Sequence, residues 1–187
     1  MARKQLKPST ALYPVPVVLV SCADADHRPN MITLAWVGTV CSEPPMLSIS
    51  IRPHRHSYGL VKKSGEFVVN IPSLALLEKT DKAGLISGRD VDKFATLGLT
   101  PVKAQRVAAP LIAECPVNIE CAVRHTLRLG AHEMFIGEIL AVHADESVLD
   151  ADGKIDFTKA APFCFNLGEY WSLKEKVGGY GFSQGKK

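Results

Sequence analysis

Asn30-Met31-Ile32-Thr33-Leu34-Ala35-Trp36 and, a few residues on, Pro44-Pro45-Met46-Leu47-Ser48-Ile49-Ser50-Ile51-Arg52 decide how this chain reads. Across 46–52 apolar residues alternate with hydroxyl-bearing ones at the two-residue period of a strand. The two stretches read as β-strands joined by a turn. Small and hydroxyl residues stand where a strand usually carries bulk. Such a strand lets a flat ligand lie against its backbone, with Asn30, Thr33 and exposed amides as hydrogen-bonding groups.

Outward from that pair, the run at 17–23 is rich in β-branched residues and ends in the turn cluster Asp24-Ala25-Asp26-His27-Arg28-Pro29, so a hairpin leads into the strand that starts near Met31. Pro53 stops the strand at 46–52. Residues 56–63 read as a short helix with Ser57 as its N-cap, and Gly65 ends it. Residues 66–71 form another strand. Ser73 is the expected cap of a helix over 74–83 that turns Leu76 and Leu77 inward. A second short helix is expected near 91–95, then an extended crossing over 100–111. Two long strands follow at 117–129 and 134–144, with Gly130-Ala131 between them. Phe163-Cys164-Phe165 reads as a last short strand, and Gly178-Gly179-Tyr180-Gly181 opens a flexible tail. Strands outnumber helices and come in hairpin order. That predicts a mainly β chain with short helices, an antiparallel barrel rather than a βαβ sheet. No repeat or linker divides residues 1–187, so one domain is expected, with an N-terminal arm at 1–12 and a C-terminal tail at 174–187.

Composition narrows the function. The 187 residues suffice for one sizeable core, and 47% apolar with 22% charged content is ordinary for a globular protein. A net charge of +3 gives no footing for nucleic acid or an acidic membrane. The five cysteines include no C-x-x-C pair and are odd in number, which speaks for reduced thiols in a cytoplasmic protein. Leu19-Val20-Ser21-Cys22 looks like a lipoprotein cleavage site, but Pro8, Pro14 and Pro16 interrupt any signal helix. No apolar run approaches the ~20 residues that span a bilayer.

Three stretches carry a resemblance. N-x-x-T-x-x-W at 30–36, P-P-x-x-S-I-S-I at 44–51 and G-E-F-V-V-N-I-P at 65–72 resemble the flavin reductase-like family of FMN-binding split barrels, which includes flavoredoxins. Asp92-Lys93-Phe94 and His132-Glu133-Met134-Phe135-Ile136-Gly137-Glu138-Ile139 extend the likeness to nearly the whole chain, from about Val17 to Trp171. The resemblance implies a Greek-key split β-barrel, FMN as cofactor, NADH or NADPH as electron donor, and a homodimer with the flavin near the subunit boundary.

FMN poses two binding problems, a dianionic phosphate and a flat ring rimmed by hydrogen-bonding atoms. Phosphate needs cations and hydroxyl or amide donors at close range. Ser50, Ile51 and Arg52 at a strand end, Arg55 and Ser57 at a helix start, and Lys93 occupy the matching places. For the ring, the resemblance implies Asn30, Thr33, Leu34, Ala35 and Trp36, with Ala35 small enough for close backbone approach. Tyr170, in Glu169-Tyr170-Trp171, matches an aromatic that closes the family's barrel near the cofactor, while Trp171 has the stronger claim to the core. His132 matches a histidine that lies near the nicotinamide in reductase members.

Other motifs do not hold. Ile136 stands where a metalloprotease pattern would need a second histidine, and His54-Arg55-His56 has no third metal ligand nearby. The glycines at 178–185 follow no strand, so they form no dinucleotide fingerprint. The chain thus reads as an FMN-dependent oxidoreductase that takes a hydride from NAD(P)H and passes electrons on. A flavoredoxin-like carrier working with a redox partner protein is the alternative, and another flat ligand such as haem a third.

Overall fold

The structure is a computed structural model that describes residues 1–184. Its strands are β1 (Val15–Pro16), β2 (Val18–Ala23), β3 (Pro29–Leu34), β4 (Val37–Ser42), β5 (Pro45–Ile51), β6 (Glu66–Ile71), β7 (Pro101–Val102), β8 (Leu111–Ile112), β9 (Val117–Arg128), β10 (Glu133–Ala144), β11 (Phe163–Asn166) and β12 (Glu169–Ser172). Its helices are α1 (His56–Ser64), α2 (Leu77–Leu85), α3 (Lys93–Leu97) and α4 (Phe157–Ala160). Every strand pairing is antiparallel. Seven strands share one sheet in the order β3-β2-β6-β9-β10-β5-β4, and β1-β11-β12 form a smaller one.

That order forces curvature. β3 and β4 stand at opposite ends of the sheet, yet only Ala35 and Trp36 separate them along the chain. Flat, the sheet's outer strands would lie about 29 Å apart at about 4.8 Å per step. The link from Leu34 to Val37 reaches about 11 Å. The sheet must roll until its edges meet, and Ser50 N–H donates to the Trp36 carbonyl at 3.0 Å, which carries the β4–β5 pairing into that corner. No ladder joins β3 to β4 or β5 among the described residues, so the barrel stays split.

The barrel interior holds Val18, Val20, Cys22, Ile32, Ile49, Ile51, Phe67, Val69 and Phe135, with Val61 of α1 packed among them. The other face of β2 and β3 is also covered: Leu19 and Met31 pack on Leu76, Ala83, Phe94 and Leu97. Burial on both faces explains why β2 reads as an unbroken apolar run. Asn70 of β6 ties the outer layer together. Its Nδ2 donates to the Leu19 carbonyl at 3.0 Å and Ser21 Oγ at 2.9 Å, while its Oδ1 accepts from Ile112 N at 3.0 Å and Asn118 Nδ2 at 2.8 Å. All the polar atoms of this buried amide are satisfied, the condition under which a polar core residue stabilises.

Gly137 of β10 marks the tightest backbone approach to the barrel core. A Cβ there would lie 2.6 Å from Phe67 Cζ and 3.0 Å from Cys121 Cβ. Both neighbours are fully buried. Gly137→Ala is expected to destabilise the fold by about 2 kcal/mol through overpacking, read as a lowered urea midpoint. An unchanged midpoint would show that the core yields more easily than this geometry implies.

Several elements differ from the sequence reading. β4 intervenes between the two strands expected to be joined by a single turn. It is half-exposed and carries Gly38, Thr39, Cys41 and Ser42, so its apolar alternation is faint. Ser57 does not cap α1: Arg55 holds the N-cap position, and Ser57 is buried inside the helix. Ser73 precedes a 3-10 turn at Leu74–Leu76 and makes no capping bond, so the α-helix begins at Leu77. Leu76 is buried as expected, but Leu77 only half-buried. α3 starts at Lys93, capped by Asp92, whose side chain accepts from Ala95 N. β12 adds a strand after the expected last one. Trp171, expected in the core, is 54% exposed, and it is Tyr170 that packs. In the tail, Tyr180 and Phe182 are exposed, and the expected tail's residues 185–187 lie outside the described residues.

Candidate functional site

The corner where β3 turns into β4 builds the first half of the site. Thr33, Leu34, Ala35 and Trp36 line a cleft of about 190 Å³. Ser50, Ile51 and Arg52 reach it from the end of β5, Arg55 from the entry to α1, His132 from the start of β10 and Phe165 from β11. Ala35 keeps the corner's backbone open. Thr33 Oγ1 donates to the Thr80 carbonyl at 2.5 Å, so its proton fastens β3 to α2 and is not available to a ligand.

His132 is held by its neighbours. Glu133, the first residue of β10, is gripped by Tyr58 Oη at 2.8 Å and Lys62 Nζ at 3.1 Å, both on α1. Arg52 Nε donates to His132 Nε2 at 3.4 Å. An imidazole nitrogen that accepts carries no proton, so the Nδ1–H tautomer fits. Burial, followed by the charges of Arg52 and His54, lowers the His132 pKa and keeps the ring neutral.

A second cleft, about 180 Å³, adjoins the first along Ile32 and Arg55. His54, His56, Ser57, Ser87, Gly88 and Lys93 line it. Neither cleft has an Asp or Glu in its lining. α1 starts here with no acidic residue in its first turn and no side chain capping it. Its amide dipoles therefore face the cleft uncompensated, a setting that favours an anion. Lys93 is buried and donates from Nζ to the Ala83 carbonyl at 2.6 Å. Burial, and then the nearby Arg55 charge, pulls its pKa down to about 8. Burial also lowers the His56 pKa, with help from Arg89 and Lys93.

The structure thus gathers Thr33, Leu34, Ala35, Trp36, Ser50, Ile51, Arg52, Arg55 and His132 in one cleft, and Arg55, Ser57 and Lys93 in its neighbour. Two expected residues fall elsewhere. Asn30 lines neither cleft: it is buried behind Ser57 and donates to Ser57 Oγ from Nδ2 at 2.8 Å. Tyr170 donates to Asp81 Oδ1 at 2.8 Å and packs on Phe163 and Phe165, so Phe165 supplies the aromatic wall. Ser87 and Phe165 were missed. Ser87-Gly88 is a turn pair whose only sequence signal is its loop chemistry, and Phe165 carries no sign of which sheet it will face. Among the described residues no cluster of three or more metal-ligating side chains forms, so His54 and His56 remain cleft residues.

A flavin reductase-like domain matches residues 10–167 of the chain. The chain belongs to the flavin reductase-like family. A relative within reach of direct comparison, an uncharacterized protein of Archaeoglobus fulgidus, is 36% identical over 146 residues, 78% of this chain and 81% of that protein. The fold superposes on flavoredoxin of Desulfovibrio vulgaris (Miyazaki F) with a TM-score of 0.91 and 41% identity, over 99% of this chain and 100% of the other. It also superposes on flavoredoxin from Methanosarcina acetivorans with a TM-score of 0.85 and 30% identity, over 95% and 96%. The antiparallel split barrel is therefore that of the flavin reductase-like family. No helix among the described residues is long and apolar enough to cross a membrane.

Proposed function

We propose that the chain binds FMN in the paired clefts and acts as an oxidoreductase that takes a hydride from NADH or NADPH and passes electrons on. One observation carries the reading. An open backbone corner adjoins a pocket with no carboxylate in its lining, where Arg55, Lys93, Ser57 and Ser87 converge on an uncapped helix start. The donor set fits FMN, whose phosphate would be held by Arg55, Ser57, Lys93 and the first amides of α1. Backbone groups at Leu34, Ala35 and Trp36, with Ser50 and Arg52, would hold the ring edge.

When bound, the flavin supplies hydride acceptance and onward electron transfer, so no protein nucleophile is required. The chain's own work is placement. Arg52 keeps its charge at the cleft mouth and orients His132. With Nε2 taken by Arg52, a neutral His132 would offer a directed Nδ1–H to the incoming dinucleotide, while the Arg52 guanidinium would favour negative charge on a bound ring. The reading also expects a homodimer, which sedimentation would test.

The purified protein is expected to be yellow or to become so on titration with FMN. A colourless protein that ignores FMN would end the reading, and a haem spectrum would replace it. Mixing the loaded protein anaerobically with NADH or NADPH should bleach the flavin band. His132→Ala is expected to slow bleaching about 10-fold with a much smaller effect on FMN affinity. An equal loss of both would make His132 part of the cofactor's seat instead. The full-length likeness to flavoredoxin favours a second reading, a carrier that exchanges electrons with a partner protein. A flavin band indifferent to both nicotinamides selects it.

A further inference from the structure

We propose that Asn30 is a positioning residue for the phosphate end of the flavin: its carboxamide turns the Ser57 hydroxyl proton into the anion pocket. The inference rests on the FMN reading above and extends it to a residue that touches no ligand.

The argument is a count of protons. A serine hydroxyl has one proton and two lone pairs. Asn30 Nδ2 donates to Ser57 Oγ at 2.8 Å, which occupies a lone pair and leaves the proton unspent. Among the described residues Ser57 Oγ makes no second hydrogen bond to nitrogen or oxygen; its other polar neighbour is Cys22 Sγ, a weak acceptor. Ser57 is 2% exposed, yet it lines the pocket beside Arg55 and Lys93, where no carboxylate competes for the proton. An anion's oxygen is a far stronger acceptor than a thiol sulfur, so a phosphate in the pocket takes that proton.

The orientation of the amide is fixed on both sides. Nδ2 also reaches Cys22 Sγ at 3.7 Å, so both of its hydrogens face acceptors. Burial holds Cys22 as a neutral thiol, its pKa raised to about 11, so the thiol itself adds no charge behind the pocket. On the opposite side, Asn30 Oδ1 is buried with no partner among the described residues. It faces Gly88, where an added Cβ would lie 2.0 Å from it. Turning the amide over would press N–H groups against Gly88 and let Oδ1 take the Ser57 proton. The glycine thus closes the loop onto Asn30, and Asn30 aims Ser57.

Riboflavin, which lacks the phosphate, separates this role from a merely structural one. Flavin-free, full-length protein is titrated with FMN and with riboflavin, each followed by flavin fluorescence, and folding of every variant is checked by thermal melting. Asn30→Leu and Ser57→Ala are each expected to lower the FMN-to-riboflavin affinity ratio about 10-fold, the scale of one hydrogen bond to a charged group, with riboflavin affinity nearly unchanged. The double variant should be no worse than Ser57→Ala alone, because Asn30 acts through that hydroxyl. Asn30→Asp keeps the size and reverses the contact, so the proton turns to the new carboxylate and the ratio falls at least as far. That variant carries the test if Asn30→Leu fails to fold. A ratio unchanged in a folded Asn30 variant, additive losses in the double variant, or parallel loss of both flavins overturns the proposal alone. A wild-type protein that binds neither flavin overturns the FMN reading and this inference with it.

Discussion

Glu120→Ala is expected to destabilise the fold by about 3 kcal/mol at neutral pH, read from urea unfolding. Glu120 sits on β9 with no solvent exposure. Its carboxylate accepts from the amides of Gln105 at 2.9 Å, Arg106 at 2.6 Å and Val107 at 3.1 Å, and pairs with His143 Nε2 at 2.6 Å. One side chain thus does for the 103–110 crossing what a strand partner does elsewhere: it accepts from three consecutive backbone donors. Burial raises the Glu120 pKa, but the Gln105 amide, His143 and the Arg106 amide outweigh it, and the net shift is downward. A carboxylate with a lowered folded pKa contributes stability that is present above its unfolded value, near 4.5, and is lost as pH falls through the folded value. The gap between wild type and variant should therefore be widest near pH 7 and shrink in acid. Glu120→Gln should recover only part of it, since its NH₂ would face donors. A loss below about 0.5 kcal/mol, the level of an ordinary surface change, would mean that water replaces the carboxylate without penalty.

What the sequence showed and what it hid divide along physical lines. β2, β5, β6, β9 and β10 were legible because burial on one or both faces writes itself into apolar pattern. β4 was not, because an edge strand half in solvent needs little apolar residue to hold it. The cleft residues from Thr33 to Trp36 and from Ser50 to Arg55 were legible through a likeness in short motifs, and the structure brings them together. Their individual tasks were not. The bonds that commit the Thr33 hydroxyl to the Thr80 carbonyl, place Asn30 behind Ser57 and send Tyr170 to Asp81 each join residues 27 to 89 positions apart. Glu120 had no signal at all: a glutamate on a strand reads as a solvated charge, and only the crossing that covers it makes it a buried acceptor. Pattern reports which face a residue takes, whereas hydrogen-bond partners depend on which loop closes over that face.

Lys93→Met is expected to weaken FMN binding between about 10- and 100-fold at pH 7 while leaving riboflavin binding nearly unchanged. The ammonium is buried at the start of α3 with one carbonyl partner, and burial together with Arg55 holds its pKa near 8. In flavin-free protein the unfolded chain keeps that proton up to about 10.5, so between about 8 and 10.5 the unfolded state binds more protons and stability rises with pH. FMN affinity should run the other way. A phosphate monoester is dianionic above about pH 6 and attracts the charged amine, so affinity is greatest between about 6 and 8 and falls as Lys93 loses its proton. At pH 8 to 9, binding should draw a proton from solution, because the anion raises the pKa that burial had lowered. Calorimetry in two buffers of different ionisation enthalpy would read that uptake, and riboflavin would show none. Lys93→Met should bind FMN weakly but with a flat profile over the same range. A wild-type affinity that does not change between pH 7 and 9 would place the phosphate away from this amine and leave Arg55 and the α1 amides to hold it alone.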